Sequence, residues 1–254
     1  MDTVGELLRR WRHHRGLSQL DLAIAADVSA RHVSLVETGR SNPSADMVLR
    51  LAGQLDVPLR DRNRLLLAAG FAPRYTERPL DDGALSAARD AVARVLRAHE
   101  PYPALVFDRR WNILMTNRAF DPFFADVAPD LMRPPNLIRL GLDPRGLAPL
   151  VVNLADVRKV FRARITRQLA AAPDPELTAL YEELLAPDTP DPPGESAATD
   201  VLIPMVIRLD GRELRLFSTI TTFGTPLDIT LDEVAIESYY PADTETATYF
   251  TNKT

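Results

Sequence analysis

Cysteine is missing from all 254 residues. The chain therefore has no disulfide framework and no thiolate metal site. That fits a reducing compartment, and the cytoplasm is the expected location. Histidine is scarce too. Its four copies (His13, His14, His32, His99) have no carboxylate partners at metal-ligand spacing, so no metal and no cofactor is expected. No apolar run approaches the ~18 residues that a membrane span needs. The start, Met-Asp-Thr-Val-Gly-Glu, lacks the basic-then-apolar pattern of a signal peptide. Catalytic signatures are missing as well: there is no G-x-S-x-G, no H-E-x-x-H and no phosphate-cradling glycine loop. No catalytic residue is nominated, and the chain is not expected to be an enzyme.

What is present is unevenly distributed. The length suits about two domains, and 46% hydrophobic residues allow each a core. The net charge is −5, which on its own disfavours a nucleic-acid partner. Residues 1–80, however, hold 12 basic against 9 acidic residues, a net of +3, and the rest hold 18 against 26, a net of −8. A basic front and an acidic back imply that only the front meets phosphate.

Five helical patterns fill that front. Val4, Leu7, Leu8 and Trp11 recur at helical spacing over 3–14, and Gly16 ends the helix. Ser18, with Asp21 three residues on, opens a second helix to about Ala26. Ser29 opens a third, which runs to about Thr38 before Gly39. Pro43-Ser44 opens a fourth and Pro58 a fifth, which ends at Gly70. The second and third helices suit a helix-turn-helix, in which one helix braces on the DNA backbone and the next enters the major groove. Ala23 is small where the two approach, and Val28 is apolar in the turn. Val33 and Val36 can face inward. Ala30, Arg31, Ser34 and Leu35 are then left facing out.

The run Gly16-Leu17-Ser18-Gln19-x-x-Leu22-Ala23, then Val28-Ser29, then Val33-Ser34-x-x-Glu37-x-Gly39-Arg40-x-x-Pro43-Ser44 resembles the Xre/Cro type of helix-turn-helix, related to the λ repressor. The likeness covers about residues 4–70 and implies an all-α, five-helix DNA-binding domain. It implies that Gln19 bonds a phosphate and that Ala30, Arg31 and Leu35 lie against base edges. Arg31 is the long donor among them and can take guanine bidentately, worth ~1–3 kcal/mol of discrimination. Leu35 stands where relatives often carry a polar residue, and would read a thymine methyl. Ser29, His32 and Arg40 become phosphate candidates. Arg12 and Glu37 match positions that pair as an internal salt bridge.

Residues 73–83, with Pro73 and Pro79, read as a linker. An amphipathic helix follows at 84–99. Strands are then expected at Ala104–Asp108 and Trp111–Met115, hinged at Arg109-Arg110. A Phe-rich helical stretch follows, then an irregular proline-bearing segment at 129–149. Helices are expected at 152–171 and 174–186, and a flexible loop at 187–200. Residues 201–209, 214–223 and 233–240 read as strands, with Asp210-Gly211 as a hairpin turn. Pro204 places the first of these at a sheet edge. Phe107, Trp111, Met115, Phe120, Phe124, Phe217 and Phe223 are candidates to line an apolar ligand cavity between sheet and helices.

His99-Glu100-Pro101-Tyr102-Pro103-Ala104, Asp108-Arg109-x-Trp111-Asn112, Asn117-Arg118-Ala119, Phe223-Gly224-Thr225-Pro226-x-Asp228-x-Thr230 and Tyr240-Pro241-Ala242-Asp243 resemble the ligand-binding domain of MmyB-like regulators. That resemblance implies an α+β, PAS-like domain with an antiparallel sheet of about five strands, and a long-chain fatty acid as one kind of ligand. An acyl carboxylate would need a donor, for which Arg118, Arg139, Arg158, Arg162 and Arg164 are available.

The expected organisation is a multidomain chain. Residues 1–72 form the helix-turn-helix domain, 73–83 the linker and 84–254 the PAS-like domain. The expected function is a one-component transcription regulator: a homodimer on double-stranded DNA, sensing a small apolar ligand. Two alternatives stand beside it at this point: a C-terminal protein-interaction module without small ligand, and an enzyme with a DNA-binding head.

Overall fold

A computed structural model describes residues 2–186 and 203–252. The described residues form two compact units, each with its own core. Residues up to Arg78 together with Thr225–Asp232 make the first, and Pro79–Gly224 together with the residues from Glu233 onward make the second. Residues 225–232 thus pack with the first unit.

The N-terminal unit contains α1 (Val4–His14), α2 (Gln19–Ala25), α3 (Ala30–Glu37), α4 (Ala45–Gln54) and α5 (Leu59–Ala68). Local chemistry sets their starts. Thr3 with Glu6, and Ser18 with Asp21, form reciprocal capping boxes. Ser29 and Ser44 accept the third backbone N–H of their helices. Gly16 and Gly39 take positive φ after α1 and α3, where a side chain would be strained. The apolar faces meet in one core that includes Leu8, Leu22, Val33, Val36, Leu51, Leu55, Leu65 and Leu66. At Gly5, α1 approaches α3 so closely that a Cβ would stand 2.4 Å from the Val36 carbonyl oxygen.

The second unit opens with α6 (Ser86–Ala98) and holds a five-stranded antiparallel sheet. Its strands are β1 (Ala104–Phe107), β2 (Ile113–Thr116), β3 (Met205–Leu209), β4 (Arg212–Thr222) and β5 (Ala235–Pro241), in the spatial order β2-β1-β5-β4-β3. Side chains alternate across the sheet. Ala104, Val106 and Ile236 pack on Val92 and Leu96 of α6. Leu105, Phe107, Ile207, Leu214 and Leu216 face the larger core. That core is roofed by α7 (Asp121–Phe124), α8 (Leu137–Leu142), α9 (Leu154–Ala171) and α10 (Pro175–Leu184), with α12 (Thr244–Thr251) following β5. A short helix, α11 (Ile229–Glu233), lies between β4 and β5 in sequence.

Three local expectations are corrected. Residues 129–149 are not uniformly irregular, because α8 forms behind Asn136, whose side chain accepts the Ile138 and Arg139 N–H groups. The second strand starts at Ile113 and not at Trp111, because Trp111 sits at φ 68°, outside the strand region. Asp108 holds that turn by accepting the Arg110 and Asn112 N–H groups. The third strand begins after Pro204 and lies at the sheet edge; Asn153 accepts the Val206 N–H and donates to the Pro204 carbonyl, both at 2.8 Å. Residues 201–202 and the loop expected at 187–200 lie outside the described residues. Helices α11 and α12 were not expected from the sequence pattern.

Candidate nucleic-acid interface and apolar cavity

The second and third helices carry the front site. Val33, Val36 and Glu37 bury one side of α3. Arg31 is exposed on the other side and, among the described residues, has no side-chain partner. Ser34 and Leu35 are half-buried. Ala30 is half-buried too and packs against the helical core, so it offers only a methyl edge. Ser29 is exposed, with its oxygen engaged as the cap of α3. Arg40 is exposed beyond the helix. His32 departs from the rest: its Nε2 is buried with no hydrogen-bond partner, which turns that nitrogen away from a phosphate.

Beneath this face lies a buried ion pair. Arg12 donates from Nε to Glu37 Oε1 at 2.7 Å and from its terminal nitrogen to Oε2 at 2.8 Å. Gln19 donates its amide N–H to the same Oε2 at 2.9 Å. Burial alone would raise the Glu37 pKa; the hydrogen bonds from Arg12 and Gln19 outweigh it and hold the carboxyl below its ordinary range. Glu37, at the end of α3, therefore ties together the last turn of α1 through Arg12 and the first turn of α2 through Gln19. One N–H of the Gln19 amide remains to donate to a phosphate.

In the second unit the aromatic candidates do not converge. Phe120 lines a cavity of about 30 Å³, together with aliphatic side chains that include Leu137, Leu147, Val151, Ile207 and Leu216. Phe107 and Trp111 stack at 5.0 Å in the same core but do not line the cavity. Phe124 packs against that core without reaching the cavity. Phe217 stacks on Tyr240 at 5.4 Å. Met115 and Phe223 pack with the α6 cluster on the opposite face of the sheet. The cavity lining that aromatic content missed is mainly aliphatic, and its sequence signal was the Leu and Val content of 137–151. Tyr239 also lines it. Burial pushes this phenol well above its ordinary pKa, so it stays neutral.

Phe123 separates that space from a second cavity of about 330 Å³, lined by Glu100, Arg118, Pro122, Phe123, Tyr249 and Phe250 among others. The basic candidates divide sharply. Arg139 pairs bidentately with Glu183. Arg158 and Arg162 donate to the Leu184 and Leu185 carbonyls. Arg164 pairs with buried Glu237 at 2.9 Å and lies 4.4 Å over the Trp111 ring. The exposed Arg118 guanidinium has no side-chain partner among the described residues and faces the larger cavity.

A helix-turn-helix unit joined to a sheet domain with an internal apolar cavity describes a DNA-binding regulator with a ligand-binding domain. Family models agree with both parts. The MmyB-like transcription regulator ligand binding domain matches residues 88–251, and a helix-turn-helix domain matches residues 3–65. The chain belongs to the MmyB-like transcription regulators.

Among solved structures, the restriction-modification controller protein C.AhdI from Aeromonas hydrophila is similar at 37% identity, over 23% of this chain and 89% of that one, with a TM-score of 0.23. The clp gene regulator ClgR from Corynebacterium glutamicum is 28% identical over 39% of this chain and 90% of its own, also at 0.23. An RNA-binding light-oxygen-voltage receptor is 12% identical over 98% of this chain and 62% of its own, at 0.28. A search of curated proteins finds no match. Among the described residues no helix is long and apolar enough to cross a membrane, and no cluster of three or more His, Asp or Glu could hold a metal.

Proposed function

We propose that this regulator binds a two-fold symmetric operator as a homodimer, with half-sites ~34 Å apart. Residues 1–72 read the DNA, and the sheet domain within 84–254 takes an apolar, fatty-acid-like ligand. The observation that carries the DNA reading is the face of α3: Arg31 is exposed and unpaired above a rigid Arg12–Glu37–Gln19 anchor. Gln19, Ser29 and Arg40 then serve phosphates. Arg31, Ser34, Leu35 and the Ala30 methyl face the base edges. His32 is the weakest member, because its Nε2 is buried.

The spatial order β2-β1-β5-β4-β3 supports a PAS-like architecture. In the ligand reading, an acyl chain enters past Phe123 and its carboxylate meets Arg118. The inner cavity of about 30 Å³ falls far short of the roughly 300–1,000 Å³ of ligand pockets, so Phe123 must move for the chain to enter. That small volume also favours a second reading, in which the sheet domain is a protein-interaction module without small ligand.

Native mass spectrometry of the purified chain separates the two, since a retained acyl compound supports sensing and a bare dimer opposes it. For the DNA reading, Arg31→Ala should relax base preference at one operator position by ~1–3 kcal/mol. Uniform weakening on every sequence would demote Arg31 to a backbone contact.

A further inference from the structure

The segment between β4 and β5 does not stay with the sheet that it connects. Residues 225–232 belong to the N-terminal unit. There they complete α5, which opens behind Pro58 without a side-chain cap of its own. A helix start leaves N–H groups unpaired and carries partial positive charge. The Leu59 N–H donates to the Asp232 carboxylate at 3.1 Å, from 173 positions away in sequence.

A second set of bonds fixes the same segment. The Ile229 N–H donates to the Thr76 carbonyl at 2.8 Å. The Thr76 hydroxyl donates to Asp228 Oδ2 at 2.9 Å, and Arg78 pairs with that oxygen at 3.4 Å. The Thr230 hydroxyl donates to the Arg78 carbonyl. Asp228 and Ile229 are buried. A buried carboxylate is tolerated only when its oxygens are paired, and both of those on Asp228 are.

We propose that this segment is a relay that transmits the state of the β4–β5 pair to the helix-turn-helix. The sheet register ends at the pair Thr222–Ala235, so Asp228 is held within a few residues of both strands. A change in strand twist or register there pulls on the Asp228–Thr76 bonds and on the cap of α5. From α5 the contacts run on to α1 and α4, and α1 abuts the α3 backbone at Gly5. The bonds themselves stand on geometry; their use by a ligand rests on the sensing function proposed above.

Native-state hydrogen exchange on the full chain tests the relay without any ligand. Tyr240→Leu removes ring contacts to Phe217 and His99 on β5. It should speed exchange at Leu59 and Ile229 by at least about threefold, as expected for coupled local opening. By reciprocity Asp228→Asn should speed exchange along Thr219–Thr222, with Thr76→Val as the milder variant should Asp228→Asn unfold the unit. Distant amides that stay unchanged in both directions overturn the relay.

Palmitate serves as the apolar probe in a second arm, with a duplex selected by the wild-type chain from a random pool. A ligand-linked affinity shift on the order of 5–150-fold is expected in the wild type. Asp228→Asn should bind palmitate normally and show a shift below about twofold. A full shift in that variant overturns the relay. A wild-type chain whose DNA affinity ignores palmitate, with the exchange linkage intact, removes the ligand reading and leaves the relay supported.

Discussion

Glu37→Ala probes the anchor under the recognition face. The Glu37 and Arg12 side chains are 2% and 7% exposed, so neither charge is solvated in the folded chain. Removing the carboxylate leaves the guanidinium with one good acceptor, the Leu17 carbonyl at 2.8 Å. At an effective dielectric of ~20, unit charges 4 Å apart interact by ~4 kcal/mol. Breaking one side of such a buried pair typically costs ~3–5 kcal/mol. That is comparable with the whole stability of a small domain, ~5–15 kcal/mol.

Hydrogen exchange should therefore show α1–α3 losing protection in Glu37→Ala. The double variant Arg12→Met with Glu37→Leu should recover most of the loss, since well-packed apolar replacements are neutral or stabilising by ~1–4 kcal/mol. A single-variant cost below about 1 kcal/mol, the range of exposed pairs, would refute the argument. The pH dependence has a definite sign. Burial raises the Glu37 pKa, but its hydrogen bonds win and leave it depressed in the folded state. The stabilisation is then complete above the unfolded carboxylate pKa of ~4.3 and disappears as pH falls through the lower folded value. Glu37→Gln should remove that contribution from the acid limb of a stability profile.

Gly5→Ala should destabilise the N-terminal unit, although helix propensity alone favours alanine by ~1 kcal/mol; the new Cβ would stand 2.4 Å and 2.8 Å from the Val36 and Glu37 carbonyl oxygens, and thermal melts decide the sign. Phe123→Ala should cost ~3–5 kcal/mol and merge the two cavities, so that an apolar fluorescent probe binds more readily; unchanged uptake would mean that Phe123 does not bar entry. Arg118→Gln should weaken palmitate and leave palmityl alcohol unaffected, as calorimetry can show; equal loss for both would remove the proposed head-group contact.

The N-terminal helices were legible because their signals are local. Ser18, Ser29 and Ser44 each cap a helix within three residues of themselves, and Gly16 and Gly39 each stop one. The outward residues of α3 followed from one helical period. Arg31 is exposed as that period implies, whereas Ala30, Ser34 and Leu35 are half-buried, and the burial of the His32 Nε2 is something no periodicity reveals. The strands were legible from alternation, and their ends shifted where a single residue intervened, as at Trp111 and Pro204.

The cavity and the path of 225–232 were not legible, for one shared physical reason: their partners lie far away in sequence. An aromatic residue announces burial but not which face of a sheet receives it. Met115 and Phe120 are five residues apart, yet they pack on opposite sides of the sheet. Aliphatic lining such as Leu147 and Val151 looks like ordinary core until Ile207 and Leu216 are brought across from other strands. Asp232 looks like a solvated acid in a loop, and only the fold reveals that it caps α5. Pro58, which has no side-chain group to cap the helix it precedes, is the local trace of that arrangement. An uncapped helix start inside a compact unit asks for a donor's partner from elsewhere in the chain, and here the chain supplies it from the connection between the central strand β5 and its neighbour β4.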